Sequence, residues 1–583
     1  MTERANAVRW DMPSDRVVEG SLVGDEYSLF GNVPCSASLL SDGGSREPGD
    51  HVVTRAAGVM EMLSASDLSR LGNIGERYGI PLGKTGQNLT GATEWQVMRW
   101  LADARQSMLT LQVTKGFSRI AQIEPTLGDL PPNVAMKVAI AVGLLRAIGF
   151  LLQDDILAAL SSAQSVIKQI GGRFDSRVAT TICRLAYWKL GDFDSFFALP
   201  RSRTKPAIGG REAICEIFDL AIEASVEFDQ LRLSSARHLA QDAFDLAATT
   251  FARHPALAAF PASLLAQLLY EQGSIEEAEQ MIIGRLPAIR TGGTIESALR
   301  AYIIVARIAT RRGQRDHAAV ILDEAECLAK QRGWYRLTAA SIAERANIFL
   351  EDDQVADALI CADALEHLLE TPDMGSSRSR SDINSIWTLV RARATLAQTP
   401  SRSAVASLRQ LQHDAVQKRD TYEALHLAIR LADALEVIGE EAEALIVLIR
   451  ALALGSAMGV YQAFLDGGPR VRNLLMRVYD RARSSDDRSR ELLPYIGSLL
   501  DRKRTRETSE HLLPSKSASG GVLSERERIT LVWMSRGLSN KEIAKKLGIT
   551  PETVKSHAKN IFMKLTVKTR TEAVSLASGL GLI

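Results

Sequence analysis

The stretch YEQGSIEEA, Tyr270–Ala278, decides how this chain folds. An apolar helix end runs into Gly273, and a small residue, Ala278, follows five positions later. TRRGQRDHA (Thr310–Ala318) repeats the arrangement with Gly313 and Ala318, and LEDDQVADA (Leu350–Ala358) with Asp353 and Ala358. EVIGEEAEA (Glu436–Ala444) offers Gly439 and Ala444, and WKLGDFDSF (Trp188–Phe196) offers Gly191 and Phe196. Weaker copies fall at Gln153/Ala158, Leu231/Ala236 and Thr399/Ala404. The turn positions 153, 191, 231, 273, 313, 353, 399 and 439 lie 38 to 46 residues apart. A fixed period of this size is the mark of a repeat architecture.

The physical reading is an all-α fold, an α-solenoid of helix pairs of about 40 residues each. One helix closes at the turn residue, and the next starts beside the small residue that lets the two approach. Each pair buries its remaining apolar face only by stacking on its neighbours. Eight units are expected, with a partial ninth near Gln112. An irregular helical domain is the competing explanation, but the strong copies share both spacing and turn chemistry.

Outward from the repeats the chain changes character. Residues 1–92 are rich in Gly, Ser and Asp, with the breaker cluster SDGGSREPGD at 41–50. One short helix around Val53–Leu63 is expected there. The helical series runs over 93–482, a charged helix and a flexible linker over 483–521, and a new domain over 522–583. Arg504–Gly521, RTRETSEHLLPSKSASGG, carries the Ser, Lys, Pro and Gly of a tether.

Composition is that of an ordinary globular protein: 46% hydrophobic and 24% charged, with only 18 prolines among 583 residues, which leans towards helix. No signal peptide is expected from MTERANAVRWDMP, and the apolar run Val138–Leu152, broken by Arg146, reads as too short for a membrane span. The five cysteines (Cys35, Cys183, Cys215, Cys327, Cys361) have no metal-ligand spacing and are expected as reduced thiols in a cytoplasmic protein. The net charge of +1 hides an asymmetry: 522–583 hold eleven Lys and Arg against five Glu, a balance of +6, which leaves −5 for the rest. A basic end on an acidic body points to a polyanion partner.

That end reads as four short helices. The first starts at Ser524, boxed by Glu527, and stops at Gly537. The second starts at Ser539, boxed by Glu542, and stops at Gly548. The third takes Thr550 as N-cap and Pro551 as its first residue, and runs to about Leu565. The fourth covers about Thr571 to Ser578. The second and third, joined through Leu547-Gly548-Ile549, form a helix-turn-helix. On the third, Val554, Ala558, Ile561 and Leu565 make the buried stripe, while Glu552, Lys555, Ser556 and Lys559 point away. That face is small and basic enough to enter a major groove, where Lys donates to guanine O6 and N7. Thr553, His557, Asn560 and Lys564 flank it at phosphate level. Ser539, Asn540 and Lys541 open the second helix, where backbone N–H groups and a lysine suit a phosphate. His557 is read as a hydrogen-bond donor, not a pH switch.

LSERERITLVWMSRGLSNKEIAKKLGITPETVKSHAKNIFMKLTVKTRTEAV resembles the LuxR-type DNA-binding domain over nearly its whole length, with SNKEIA and TVKSHAKNI its most specific pieces. The repeats resemble those of the MalT-like branch of LuxR-type regulators, which are tetratricopeptide-like. GWYRLTAASIAER (Gly333–Arg345) and GVYQAFLDGGP (Gly459–Pro469) carry that resemblance beyond periodicity. The resemblance implies that Lys555, Ser556 and Lys559 read bases and that Thr553, His557, Lys541 and Arg570 hold the backbone. It also implies that the last helix, with Ala573, Leu576, Ala577 and Leu580, dimerises. Its partners would be double-stranded DNA, a second copy, RNA polymerase, and an effector of the repeats. Ile529-Thr530 departs from the family, which more often has an acidic and then an apolar residue; it puts a hydroxyl near the core.

GIPLGKTG (Gly79–Gly86) imitates a phosphate-binding loop, and GFLLQDD (Gly149–Asp155) the acidic strand that would accompany one. The first is one residue short, with Tyr78 where a small residue is wanted, and the second coincides with a repeat turn. No catalytic residues, cofactor or metal are therefore expected, and a DNA-binding transcription regulator is the function read from the chain. A nucleotide-dependent switch and an interaction scaffold are the alternatives.

Overall fold

The computed structural model describes residues 89–109, 111–170, 174–199, 211–251, 254–371, 377–484, 488–501, 525–535, 538–547, 551–564, 567 and 569–579. GIPLGKTG and the helix expected at Val53–Leu63 lie outside them. The chain divides into two compact units, Met1–Leu500 and Asp501–Ile583.

The described part of the first unit is helical. Nine helix pairs follow one another: Leu89–Leu109 with Val113–Ile123, Pro132–Leu152 with Ile156–Ile170, Phe174–Leu190 with Phe193–Ala198, Arg211–Asp229 with Leu233–Thr250, and Ala259–Glu271 with Ile275–Ile283. Then come Ile295–Arg311 with Arg315–Arg332, Tyr335–Glu351 with Val355–Leu369, Ser377–Gln398 with Arg402–Gln417, and Thr421–Val437 with Glu441–Met458. The partial ninth unit near Gln112 is thus a full pair.

The turns inside the pairs share one mechanism. Gly191, Leu231, Gly273, Gly313, Asp353 and Gly439 all have positive φ, between 58° and 81°. The next residue then donates its N–H five residues back, as in Ser274 to the Leu269 carbonyl (2.9 Å) and Gln314 to the Ala309 carbonyl (2.9 Å). This bond satisfies a carbonyl that the helix end would leave open. The small residue five positions after each turn, Ala236, Ala278, Ala318, Ala358 or Ala444, is wholly buried.

Two turns differ from expectation. In the second pair the left-handed residue is Asp154 (φ 62°), not Gln153, and Ala159, not Ala158, is the buried partner. At Thr399 no left-handed residue occurs. Pro400 follows it and has no N–H to close the turn, so the next helix is capped instead by the Ser401 hydroxyl, which accepts from Ala404 N–H (3.3 Å).

The helix Pro132–Leu152 is 21 residues long and apolar enough to cross a membrane by length and composition, so the reading of this run as too short is corrected. Here it serves the solenoid: Val134, Val138, Leu144, Leu145 and Ile148 are buried in the core. Cys183, Cys215 and Cys361 are free and buried, as expected of reduced thiols in helix cores. Burial pushes the Cys183 thiol up to about 12, which makes it inert as a nucleophile.

The superhelix returns on itself through the two stretches that stood out beyond periodicity. In Gly333–Arg345, Trp334 is buried and donates its indole N–H to the Leu152 carbonyl (2.8 Å). Arg336 grips both oxygens of Asp154 (2.7 Å each) and reaches Glu296 (2.7 Å), and the Ser379 hydroxyl donates to Asp154 (3.2 Å). In Gly459–Pro469, Tyr461 N–H donates to the Glu271 carbonyl (2.8 Å), and Asp466 accepts from the Tyr270 hydroxyl (2.9 Å) and from Arg311. Phe228 and Tyr422 meet with ring centroids 4.5 Å apart.

Candidate nucleic-acid interface

The second unit holds four helices among its described residues: Glu525–Ser535, Asn540–Leu547, Pro551–Lys564 and Arg570–Gly579. Their shared core is Leu531, Met534, Ile543, Ala544, Val554, Ala558, Ile561 and Ala573, with Trp533, Leu538, Phe562, Val567 and Val574 packed against it. Thr530 is wholly buried beside Leu531, so the residue that departs from the family does sit in the core.

The second helix starts with the full capping box. Ser539 N–H and hydroxyl both donate to the Glu542 carboxylate (2.7 Å each), and Glu542 N–H returns to the Ser539 Oγ (3.4 Å). These bonds hold the Glu542 carboxyl below its ordinary range, the side-chain one first. The third helix starts at Pro551, whose missing N–H costs nothing in a first turn. The last is capped by Thr569, whose hydroxyl accepts from Glu572 N–H (3.2 Å). Ser524, Gly537, Gly548, Ile549, Thr550 and Leu565 lie outside the described residues.

The helical spacing sorts the third helix as expected. Val554, Ala558 and Ile561 are buried, while Lys555, Ser556 and Lys559 are exposed. Thr553, His557 and Asn560 are half-buried at the margin between the two faces, and Lys541 is exposed at the start of the second helix, next to half-buried Asn540 and exposed Ser539. The backbone of Lys564 ends the helix; its side chain is not described.

Three expected roles change. His557 has its Nε2 buried, with no hydrogen-bond partner among the described residues, so that nitrogen cannot donate to a phosphate in this rotamer. Arg570 is half-buried, and its Nη2 donates to the Met534 (3.0 Å) and Leu538 (2.5 Å) carbonyls. It therefore caps the end of the first helix, together with the Leu538 N–H bond to the Trp533 carbonyl (3.3 Å). Ala573 is wholly buried in the core and holds the last helix from inside, so it offers no surface to a second chain. Leu576 and Ala577 lie on that helix with undescribed side chains, and Leu580 lies beyond it. Among the described residues no group of three or more His, Cys, Asp or Glu side chains could hold a metal ion.

Two family descriptions match this chain. Residues 171–481 match "MalT-like TPR region", and residues 521–577 match "Bacterial regulatory proteins, luxR family". Among curated proteins it is similar to the HTH-type transcriptional regulator MalT of Vibrio parahaemolyticus, 25% identical over 439 residues, 72% of this chain and 47% of that protein. The last domain is similar to the transcriptional regulatory protein LnrK of Bacillus subtilis, 55% identical over 51 residues, 9% of this chain and 23% of that protein. It is also similar to the probable csgAB operon transcriptional regulatory protein of Salmonella typhimurium, 45% identical over 62 residues, 11% of this chain and 29% of that protein. The chain spans about half the length of the MalT relatives it matches. With the first match covering more than half of its residues, the chain belongs to the family with a MalT-like TPR region, and its basic end carries the match to the luxR family.

Proposed function

We propose that the chain binds a two-fold-symmetric DNA site as a dimer and that the repeats receive the signal that controls it. The observation that carries DNA reading is the division of Pro551–Lys564: Val554, Ala558 and Ile561 anchor the helix in the core, and Lys555, Ser556 and Lys559 stand exposed on the other side. An exposed lysine in a major groove donates to guanine, and Ser556 can serve either edge. Lys541 and the N-terminal amides of Asn540–Leu547 suit phosphates and set the register. Pairing two such helices through the last helix, by Leu576, Ala577 and Leu580, makes an inverted repeat the natural target. RNA polymerase is the expected partner at the promoter, the cytoplasm the expected compartment, and the work non-enzymatic. Ligand binding on the repeats would shift the population of DNA-competent dimers.

The test is selection of genomic DNA fragments by the full chain beside a Lys555→Ala/Lys559→Ala variant. Enrichment of an inverted repeat by the native protein alone is expected. Equal enrichment by both proteins would refute the assigned roles.

A further inference from the structure

At the last step of the series a charge pair bridges the second helices of neighbouring pairs. Arg409, on Arg402–Gln417, reaches Glu443, on Glu441–Met458, at 2.7 Å. Glu443 is the residue just before the small Ala444, and Glu277 holds the same place before Ala278. The Glu277 carboxylate, however, makes no ion pair and no hydrogen bond among the described residues. On Leu233–Thr250, the second helix of the pair before it, Arg237 donates only to the neutral side chain of Gln272 (3.3 Å). No charge pair spans this step, and a groove of about 350 Å³ lies open there, lined by both Arg237 and Glu277.

Helical spacing builds the walls. Gln241 and Phe244 follow Arg237 at four and seven positions on one helix, and Gln280 and Met281 follow Glu277 at three and four on the other. Leu265 and Leu269, one turn apart on Ala259–Glu271 and both buried, complete the apolar lining. Arg285 follows two residues past the end of Ile275–Ile283. Its guanidinium lies over the Phe244 ring, 4.9 Å from the centroid, and its Nη1 donates to the Met281 carbonyl (2.7 Å). No carboxylate pairs with it among the described residues, and burial alone pulls its pKa below the ordinary arginine range. A guanidinium carries five N–H donors, so most of them are left for another acceptor. Stacking on the ring fixes the plane of that fork.

We propose that this groove binds a small molecule with an apolar body and a single carboxylate. Its volume is that of a ligand pocket, with an apolar bed and few polar groups. Phe244, Leu265, Leu269 and Met281 form the bed, and Arg285 presents paired donors that match a carboxylate. Charge sets the number of carboxylates: Arg237 and Arg285 against Glu277 leave one net positive charge in the groove, which one carboxylate neutralises. The regulatory meaning of the site rests on the proposed signal-receiving role of the repeats. Its occupancy does not, and it is measured without DNA.

The experiment is calorimetric titration of the full chain with octanoate and, in a separate arm, with naphthoate, each beside its uncharged amide, at constant ionic strength. Saturable binding of at least one carboxylate is expected, about tenfold tighter than that of its amide. Arg285→Met keeps the apolar stem and loses the charge, so it should remove the preference for the acid. Gln241→Trp, at an exposed rim position where it breaks only the bond to Asp245, fills the groove and should abolish binding of acid and amide alike. That variant decides the matter should Arg285→Met, which also gives up the Met281 bond, unfold early. Arg409→Met, at the bridged step, should leave binding unchanged. Absence of saturable binding by both carboxylates, equal binding of acid and amide to the native chain, or unchanged binding by Gln241→Trp would overturn the proposal. Octanoate or naphthoate binding that leaves DNA selection unaltered would refute the signalling role alone.

Discussion

Replacing Asp154 by Asn removes one charge from the contact that joins the second helix pair to the seventh. Arg336 is only 6% exposed and Asp154 3% exposed, so water does not compensate for a lost partner. Asn tolerates the left-handed backbone at this position, so the substitution tests charge rather than strain. Breaking a buried ion pair from one side costs about 3–5 kcal/mol. Arg336 keeps Glu296, whose carboxyl burial would raise but Lys189, Arg336 and Arg300 hold below its ordinary range. Asp154→Asn should therefore cost about 2–3 kcal/mol, below the full figure. Arg336→Met, which strands the Asp154 carboxylate with only Ser379, should reach the full 3–5 kcal/mol range. The double variant should lie within about 2 kcal/mol of the native chain, because no unpaired charge remains. Urea unfolding of all four proteins gives the coupling, and hydrogen exchange over Pro132–Leu152 and Tyr335–Glu351 places it. Additive losses, or a loss below about 1 kcal/mol for Arg336→Met, would refute the reasoning.

Other outcomes follow from single features. Lys541→Ala should weaken binding evenly across DNA sequences and reduce the salt slope by about one, while Lys555→Ala should cost about 1–3 kcal/mol on the specific site only; fluorescence titrations against specific and random duplexes separate the two. Arg570→Gln should lower the thermal midpoint of the C-terminal unit, since it uncaps Met534 and Leu538, and an unchanged midpoint would return Arg570 to a pure phosphate role. Gly313→Ala meets nothing within 4 Å and adds only the left-handed backbone cost, about 1–2 kcal/mol in unfolding. Burial lifts the Asp219 carboxyl to about 6 despite Arg184, so its stabilisation is full below the unfolded carboxylate range and lost as pH rises through 6. Asp219→Asn should flatten the stability profile between about pH 4 and 6.

The repeats were legible because their turns use a local code. Gly, or a residue such as Asp that accepts the left-handed region, recurs at a fixed distance before a small residue, and both are visible in the chain. The code misplaced Gln153 by one because Asp154 and Asp155 both suit a turn, and it read Thr399 as a copy although Pro400 prevents the closing bond. The DNA face was legible for a similar reason, since helical spacing alone separates Val554, Ala558 and Ile561 from Lys555 and Lys559. Arg570 and His557 were not, because main-chain carbonyls and the inside of a fold leave no trace in composition. Least legible were the contacts of Arg336 and Asp466, whose partners lie 182 and 196 residues away in Asp154 and Tyr270. The two stretches that hold them stood out as family features before their mechanical role was apparent.

That role has a consequence for how such a chain can change. An open solenoid can gain or lose a unit at little cost, since each unit touches only its neighbours. Here Asp466 must meet Tyr270, and Arg336 must meet Asp154, across a fixed count of intervening turns. Deleting or duplicating a helix pair inside either span would carry the partners of that junction out of reach, and the pair Ile295–Arg311 with Arg315–Arg332 lies inside both. The number of repeats is thus frozen, and variation is confined to loops and outward faces.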